Sequence, residues 1–444
     1  MNTSIGFHTF TISKGITGKE VRKLFKDFKA YRELTNEVNI YIPTHELKRI
    51  DALKFLGDSG IKTHTGIREW KIDHASGIGW TLRLHSDPKF KEYLIEARIN
   101  PKTLAGIENY ITASTFKYMH VVEKRFDEEA GKISELLGRF HHYTPKRVDY
   151  CINFDLKELG IGCTPERMMK LIKMGDHPSH FKEWKYYDKK SHRKKAGKHS
   201  LYLTSGSTNI NCYCKYRQLE NEYPDHPHID EALNIIRFEV QCKYRKVYAM
   251  KKDMQSGTPP YMMTPKFILN ELLSDFTSRD LVERYFARII RPGDYHTLKG
   301  AKRIVEEQGF DVQKEEDLIQ VLEKVSRQGV AKTRVELSGS ERFYRALKTL
   351  EELNINPVTI PKSFGVKHIP NLMDAFNRLK CAELSDNASA DPFEPLEEPF
   401  EESECNDGSF DCGDMYGNPL ESNDEDEEPE YEETFVFGWE QAQK

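Results

Sequence analysis

Apolar and polar residues alternate in short segments over the first 250 residues, which is the pattern of half-buried β-strands. Apolar residues at three- and four-residue spacing predict helices at 18–28 and 165–174. Such a mixture predicts an α+β fold built on a mostly antiparallel sheet. The predicted strands span 5–12, 79–84, 93–99, 147–154, 200–204, 209–216 and 235–244.

Beyond residue 260 the pattern changes to helix after helix, and strand signals largely vanish. Predicted helices span 266–273, 278–290, 298–308, 315–328 and 340–353, with 356–362 and 368–379 completing a small helical region. From residue 385 onward acidic residues, Pro, Ser and Asn dominate, a composition too poor in apolar residues to offset the entropy of ordering. The sequence therefore predicts an α+β domain at 1–260, a helical DNA-binding or accessory domain at 261–380 and a disordered acidic tail at 381–444.

Three predicted strands carry polar side chains that share one face, because residues two apart on a strand point the same way. Asp149 lies on the first, Tyr213 and Lys215 on the second, and Glu239 on the third. If these strands neighbour one another, the four side chains converge. Such a set suits phosphoryl transfer, in which carboxylates hold a divalent cation, a phenolate attacks phosphorus and a lysine stabilises the developing charge. Spacing alone favours a solvated, noncatalytic sheet face over such a site.

Other candidate groups favour structural roles. The alternation of side chains along the strand places Cys212 and Cys214 on the apolar face, where free cysteine packs as a small hydrophobe. His226 and His228 lie in a Pro-rich segment and His141 is followed directly by a second histidine, so both pairs are interpreted as surface groups. Tyr216 is a possible second nucleophile, although the alternation of side chains places it on the opposite face from Tyr213.

The formal charge of −5 is the sum of two unlike parts. Residues 381–444 hold 22 acidic residues and one basic residue, whereas residues 1–380 hold 65 basic and 49 acidic residues, a net charge of +16. Seven Lys or Arg residues fall within 185–199 alone. That run fits either a solvated loop or a contact with phosphates, and the basic body favours a nucleic-acid partner.

Composition also limits the class of protein. No apolar run of about 18 residues is present to span a bilayer, and the first 14 residues lack a signal-peptide pattern. Eight cysteines are few for 444 residues, which favours reduced thiols over a disulfide framework. We therefore expect a cytoplasmic protein.

Several short segments, in order, resemble the replication initiators encoded by gene II of filamentous phages, a family similar in style to plasmid rolling-circle initiators. KEYLIEARINPKTLAG at 91–106 resembles a strand and turn of that family, RVD at 147–149 its Arg-hydrophobe-Asp strand, and YCKYRQLE at 213–220 its Tyr-x-Lys segment. RFE at 237–239 and the segments SERFYRALKTLEELNI and PVTIPKSF complete the resemblance. It covers roughly residues 79–374.

The resemblance implies an enzyme that nicks and rejoins one strand at a double-stranded origin through a 5′-phosphotyrosyl intermediate. It implies Tyr213 as the nucleophile, Lys215 as its electrostatic partner, and Asp149 and Glu239 as ligands of Mg²⁺ or Mn²⁺. Glu96 is a weaker candidate ligand. Related plasmid initiators often place a second Asp four residues after the first, where this chain has Asn153; Asp155 follows two residues later, so the third ligand stays open.

The implied partners are origin DNA in double-stranded and single-stranded form, together with a host helicase and polymerase in a bacterial host. The oligomeric state stays open, a dimer on the origin being one option. A noncatalytic origin- or operator-binding regulator and a conjugative relaxase remain alternative functions. The acidic tail would compete with DNA for the basic body, recruit a host protein, or serve solubility alone.

Overall fold

A computed structural model describes residues 4–35, 38–41, 68–74, 77–84, 93–107, 111–188, 193–222, 224, 228–337 and 341–378. The prediction of a disordered tail and the interpretation of His226 as a surface group lie outside these ranges, because residues 379–444 and His226 are not among the described residues. The account below concerns the described residues alone.

A large antiparallel sheet dominates the chain and confirms the α+β prediction. Its described strands lie in the order β2-β3-β4-β5-β1-β6-β12-β11-β10-β7. They are β1 (Ser4–Ile16), β2 (Val38–Tyr41), β3 (Arg68–His74), β4 (Ile78–Leu84), β5 (Tyr93–Ile99), β6 (Thr144–Asp155), β7 (Lys182–Glu183), β10 (Ser200–Thr204), β11 (Thr208–Cys214) and β12 (Ile235–Cys242), with β8 (Tyr186–Asp188) and β9 (Arg193–Lys195) forming a separate hairpin and β13 (Tyr295–His296) pairing with β14 (His368–Ile369).

Helices flank the sheet and fill the second half of the chain. Those within the described ranges are α1 (Gly18–Thr35), α2 (Pro101–Leu104), α3 (Met119–Ile133), α4 (Pro165–Lys173), α5 (Lys215–Glu222), α6 (Tyr244–Gly257), α7 (Pro265–Leu273), α8 (Asp275–Ile290), α9 (Leu298–Glu306), α10 (Val312–Gln328), α11 (Val330–Glu336) and α12 (Glu341–Glu352). Residues 372–378 are also helical. At the start of α4 and of α7, a Thr side chain accepts a hydrogen bond from a backbone N–H in the first turn, and Pro follows the Thr.

The prediction of a helix at 356–362 is wrong. Pro357 and Pro361 interrupt the backbone hydrogen bonding that a helix requires. Instead, Ile355 and Ile360 form isolated parallel bridges to Asp294 and Thr297, and the side chain of Asn356 donates hydrogen bonds to backbone carbonyls of 290–292. Residues 355–360 therefore form a buried connection that bends at 357 and 358.

The apolar face of the central strands packs against α7 and α8. The ring of Phe286 lies 5.1 Å from that of Phe154 on β6 and 5.1 Å from that of Phe238 on β12. The hydroxyl of Tyr150 donates a 2.7 Å hydrogen bond to the carbonyl of Leu272. Helices α9, α11 and α12 pack against α10. The domain boundary predicted after residue 260 stays a prediction.

The basic run at 185–199 contains paired strands instead of forming a loop throughout. Tyr186 pairs with Lys195, and Asp188 with Arg193, across β8 and β9. In the part of the chain that the structure describes, no helix is long and apolar enough to cross a membrane.

Candidate active site on the polar face of the sheet

Strand order brings the predicted polar residues together. Strand β12 lies between β6 and β11, so that Glu239 stands opposite Cys151 on one side and Asn211 on the other. Tyr213 stands opposite Arg237. Asp149 stands opposite Gln241, two residues along β12 from Glu239. Asp149, Glu239 and Tyr213 therefore share one face of three adjacent strands, as the alternation predicts.

Tyr213 and Glu239 form the closest polar pair on this face. The phenol donates a 2.6 Å hydrogen bond to Oε1 of Glu239. Tyr213 is 6% exposed and Glu239 4% exposed. Burial, followed by the negative charge of Glu239, raises the pKa of Tyr213 well above its usual value of 10. The resting phenol is therefore protonated, with a carboxylate positioned to receive its proton.

Arg237 forms the floor of the site and has no exposed surface. Its Nε donates a 2.8 Å hydrogen bond to Oδ1 of Asn153, and its Nη2 donates to the carbonyl of Ile111. Its Nη1 lies 3.8 Å from Oε1 of Glu239 and makes no hydrogen bond within the described residues. The guanidinium is thus held on two sides, and its third nitrogen faces Glu239 and Tyr213.

Asp149 is buried and held by its neighbours. Arg147 donates to both of its carboxylate oxygens, from Nε at 2.7 Å and from Nη2 at 3.1 Å. Thr9 on β1 donates a third hydrogen bond, 2.5 Å long, to Oδ2. These bonds fix the orientation of the carboxylate.

The prediction that Lys215 extends the strand is wrong, because β11 ends at Cys214 and α5 begins at Lys215. The alternating pattern continues through Tyr216, yet helical packing prevails, as Tyr216 and Leu219 pack with Ile111 and other apolar residues in a small cluster. Lys215 nevertheless borders the polar face. It is 2% exposed, and its positive charge is, after burial and Arg237, the next cause that lowers the pKa of His8.

The candidates for a third ligand do not join the other two carboxylates. Glu96 stands opposite Ser13, whereas Asp149 stands opposite Thr9, four residues away along β1. This offset separates the two acids by about 13 Å along the strand direction. Asp155 caps the turn that follows β6, where its Oδ1 accepts hydrogen bonds from the backbone of residues 157 and 158.

Sequence reasoning missed His8, which is the extra residue of a β-bulge in β1. The register with β6 shifts between Phe7 and Thr9, so β1 advances by two residues while β6 advances by one. The half-buried ring of His8 has a pKa well below 6.5, first because of lost hydration and then because of four nearby cations. Those cations are Arg237, Lys215, Arg98 and Lys102. The imidazole is therefore neutral on a positively charged face.

A signal for this bulge does exist in the sequence. Ile5 and Phe7 are spaced for one face of a strand, as are Phe10 and Ile12, but Phe7 and Phe10 are three residues apart. All four side chains are buried. Two buried pairs out of phase on one strand require an extra residue between them.

Lys102 was also missed, because it lies in the four-residue helix α2 after β5 and no pattern marks it. The residue is 6% exposed, and its Nζ donates to Oγ1 of Thr112. Burial lowers the pKa of Lys102 to about 8, and repulsion from Arg237 contributes next. Lys102 is thus, like Arg237, one of the basic side chains that surround the site.

The cysteines predicted to lie in the core and the histidines predicted to lie at the surface are confirmed in these places where the structure describes them. Cys212 and Cys214 lie in the hydrophobic core, and Sγ of Cys212 is 3.6 Å from Sδ of Met169. The described cysteines 151, 163, 212, 214 and 242 are free thiols. His141 and His142 are exposed in a short 3-10 helix, and His228 pairs with Glu231 at 2.7 Å.

A divalent cation would find two carboxylates on this face. Within the described ranges, no group of three His, Cys, Asp or Glu side chains is arranged to hold a metal. Mg²⁺, however, is often bound through one or two carboxylates while keeping several water ligands. The donor types of Asp149 and Glu239 fit such a cation, and the hydrogen bonds from Arg147 and Thr9 would act as supporting contacts to one of them.

No protein-family model matches this chain, and no curated protein matches it significantly. Among solved structures, the chain is similar to a rolling circle replication initiator protein from Geobacillus stearothermophilus, with 11% identity and a TM-score of 0.29. The alignment covers 81% of this chain and 98% of that chain. A likeness of this size assigns neither the fold nor the activity of the present chain.

Proposed function

We propose that this chain is a rolling-circle replication initiator that nicks and rejoins one DNA strand at a double-stranded origin, with Tyr213 as the nucleophile. The observation that carries the proposal is the 2.6 Å hydrogen bond from the Tyr213 hydroxyl to Glu239 within a buried cationic face. A nucleophile within hydrogen-bonding reach of a base is one of the arrangements that activate a side chain for covalent catalysis. The order of the RVD, YCK and RFE segments supports the same assignment through the family resemblance.

The proposed reaction is a transesterification in which the number of phosphoester bonds does not change. The Tyr213 oxygen attacks phosphorus and forms an O–P bond to the 5′ side, while the bond from phosphorus to the 3′ oxygen breaks. The phenol proton passes to Glu239, and the departing 3′ oxygen takes a proton from water to become a hydroxyl. Glu239 then releases its proton to solvent, so that no net proton is gained or lost. The energy of the broken bond is retained in the phosphotyrosine. Rejoining is therefore the reverse reaction and needs no nucleoside triphosphate.

Glu239 would serve as the proton acceptor, because it already lies at hydrogen-bonding distance from the phenol. The raised pKa of Tyr213 means that the phenolate does not form in the resting site. Proton transfer must therefore accompany the attack, and an acceptor at 2.6 Å makes that possible without rearrangement.

The cations around this pair suit the charge that develops on the phosphoryl oxygens. Arg237 keeps a buried Nη1 without a hydrogen bond among the described residues, on the side of Glu239. Lys215 and Lys102 add positive charge nearby, as their effects on the pKa of His8 indicate. Prepositioned donors in a site of low hydration stabilise a transition state more than the same groups do in water.

A divalent cation, Mg²⁺ or Mn²⁺, is part of the proposal, with Asp149 and Glu239 as its protein ligands. When bound, the cation would polarise a phosphate oxygen and favour attack. Asp149 is fixed by Arg147 and Thr9 for this task. Glu96 is the weakest of the proposed ligands, because its register places it well away from Asp149 along β1.

The test is to incubate the full chain with supercoiled DNA carrying its origin and Mg²⁺ or Mn²⁺, and then to look for open circles with protein joined to the 5′ end. The wild-type chain should produce both, and Tyr213→Phe should produce neither while still binding the origin. Tyr216→Phe is the matched control and should nick normally, because Tyr216 packs in a separate apolar cluster. Protein-linked circles made by Tyr213→Phe would overturn the assignment of the nucleophile, and origin binding without any nicking by the wild-type chain would favour a noncatalytic regulator.

A further inference from the structure

Two tyrosine rings lie exposed side by side on α6. Tyr244 is 53% exposed and Tyr248 is 46% exposed. They are four residues apart, one turn of the helix, and their ring centroids are 6.0 Å apart with planes inclined by 34°. Neither ring belongs to the hydrophobic core of the described residues. The pair presents a continuous aromatic surface to solvent.

The opposite face of α6 is fixed to the rest of the protein. Val247 is 2% exposed and belongs to the main core, and Met250 and Met254 pack against that core. Because this side of the helix is anchored, Tyr244 and Tyr248 remain on the outer side.

Cations flank both rings. Nζ of Lys146 lies 4.2 Å from the centroid of Tyr244, and Nζ of Lys252 lies 5.1 Å from that of Tyr248. The helix carries four basic residues and one acidic residue, at 245, 246, 251, 252 and 253. An acidic or phosphate-bearing partner is therefore favoured over a neutral apolar one.

This surface begins a short distance along the chain from the candidate active site. Tyr244 follows Glu239 by five residues at the end of β12, which limits the distance between their Cα atoms to about 18 Å. Lys146 precedes Asp149 by three residues on β6. A strand bound at the polar face therefore needs only a short extension to reach the tyrosines.

We propose that Tyr244 and Tyr248 form a stacking platform for the bases of single-stranded DNA, with Lys146 and Lys252 contacting the backbone phosphates. Unpaired bases expose both faces for stacking on aromatic rings, whereas the bases of a duplex are already stacked on each other. The choice of DNA as the nucleic acid rests on the proposed function. The platform would hold the unpaired strand beside the nick.

The test measures binding of fluorescein-labelled oligothymidine to the full chain in EDTA, by fluorescence anisotropy. The double variant Tyr244→Ala/Tyr248→Ala should bind about tenfold more weakly or worse, because each stacked base contributes on the order of one to three kcal/mol. The double variant Tyr244→Phe/Tyr248→Phe keeps the rings and should bind within about twofold of the wild-type chain. We also measure the slope of the logarithm of the binding constant against the logarithm of the salt concentration. Lys252→Ala should reduce the size of this slope by about 0.7, the value for one phosphate contact on a single strand.

Tyr344→Ala is the matched control, because Tyr344 is 56% exposed and lies between two arginines on α12. It should leave the affinity unchanged. Unchanged affinity in the double alanine variant, equal loss in Tyr344→Ala, or equal loss of binding to a duplex of the same length would overturn the proposal. Tighter binding to oligouridine than to oligothymidine would overturn the choice of DNA.

These measurements use no metal and no origin sequence, so their outcome does not depend on nicking. A chain that fails to nick can still show the platform, and a chain that nicks can still lack it. The two proposals therefore fail separately.

Discussion

The hydroxyl of Tyr213 donates a 2.6 Å hydrogen bond to Oε1 of Glu239 across two neighbouring strands that run in opposite directions. The two residues are not direct cross-strand partners, because Tyr213 stands opposite Arg237 and Glu239 stands opposite Asn211. The bond is a diagonal contact on one face, which a long phenol side chain can span. It joins an unreactive phenol to the group that can deprotonate it.

Glu239→Gln should lower the rate of nicking by about two to four orders of magnitude, because the amide cannot act as a general base. The pKa of Tyr213 should fall at the same time, because the charge of Glu239 is one of the causes that raise it. Nicking is measured on supercoiled origin DNA, and the pKa by NMR of ¹³C-labelled tyrosine with Tyr213→Phe for assignment. Glu158→Gln, an exposed acid, is the control. A lowered pKa with unchanged nicking would place the proton acceptor elsewhere.

Asp149→Asn should weaken binding of Mn²⁺ at least tenfold in the absence of DNA, because a neutral amide is a poorer ligand for a hard cation than a carboxylate. Binding is measured by isothermal titration calorimetry. Asp155→Asn is the matched control, since Asp155 lies on the same strand but caps the turn after it. Equal Mn²⁺ affinity in the Asp149 variant and the wild-type chain would remove Asp149 from the set of ligands.

Lys102→Met should be more stable than the wild-type chain below about pH 8, and this advantage should shrink as the pH rises toward 10. The pKa of Lys102 is about 8 in the folded chain, below its usual value of 10.5, so the unfolded chain binds more protons in this window. The free energy of unfolding of the wild-type chain therefore increases as the pH rises from about 8 toward 10. Urea unfolding at several pH values measures the difference, with Lys124→Met, an exposed lysine on α3, as the control. A difference between variant and wild type that does not change with pH would contradict the prediction.

Phe286→Ala should lower the free energy of unfolding by about 3–5 kcal/mol, because it removes a fully packed ring from between β6, β12 and the helix at 372–378. Urea unfolding followed by circular dichroism measures the change. Phe276→Ala is the control, since Phe276 lies on the same helix and is 79% exposed. Equal stability of the two variants would contradict the packing of α8 on the sheet.

The alternation of residues predicted several strands well. The bounds predicted for β5 and β10 agree with the structure at both ends, and the faces assigned to Asp149, Glu239 and Tyr213 agree with the register. These residues lie in segments where period-two patterning is uninterrupted. Local pattern and tertiary packing agree there, which is the condition under which such predictions succeed.

The order of the strands was not readable from the pattern. Strand β11 precedes β12 in the chain but lies outside it in the sheet, and alternation contains no information on neighbours. The sequence therefore predicted that Tyr213 and Glu239 lie close together only if their strands are neighbours in the sheet. Lys215 was misplaced for a different reason, because YCKY alternates like a strand while its last two residues pack as the start of a helix.

The position of β12 also governs when the site can exist during synthesis. A ribosome completes β6 and β11 before it reaches residue 235, and those two strands are joined in the sheet only because each pairs with β12. Any nascent or truncated chain that ends before Ile235 lacks both Arg237 and Glu239 and has a gap where the central strand belongs. The candidate site therefore depends on contacts between residues far apart in the chain, from Thr9 to Asp149 at a separation of 140 positions and from Asp149 to Gln241 on β12. It cannot be complete until the last of these residues has been synthesised.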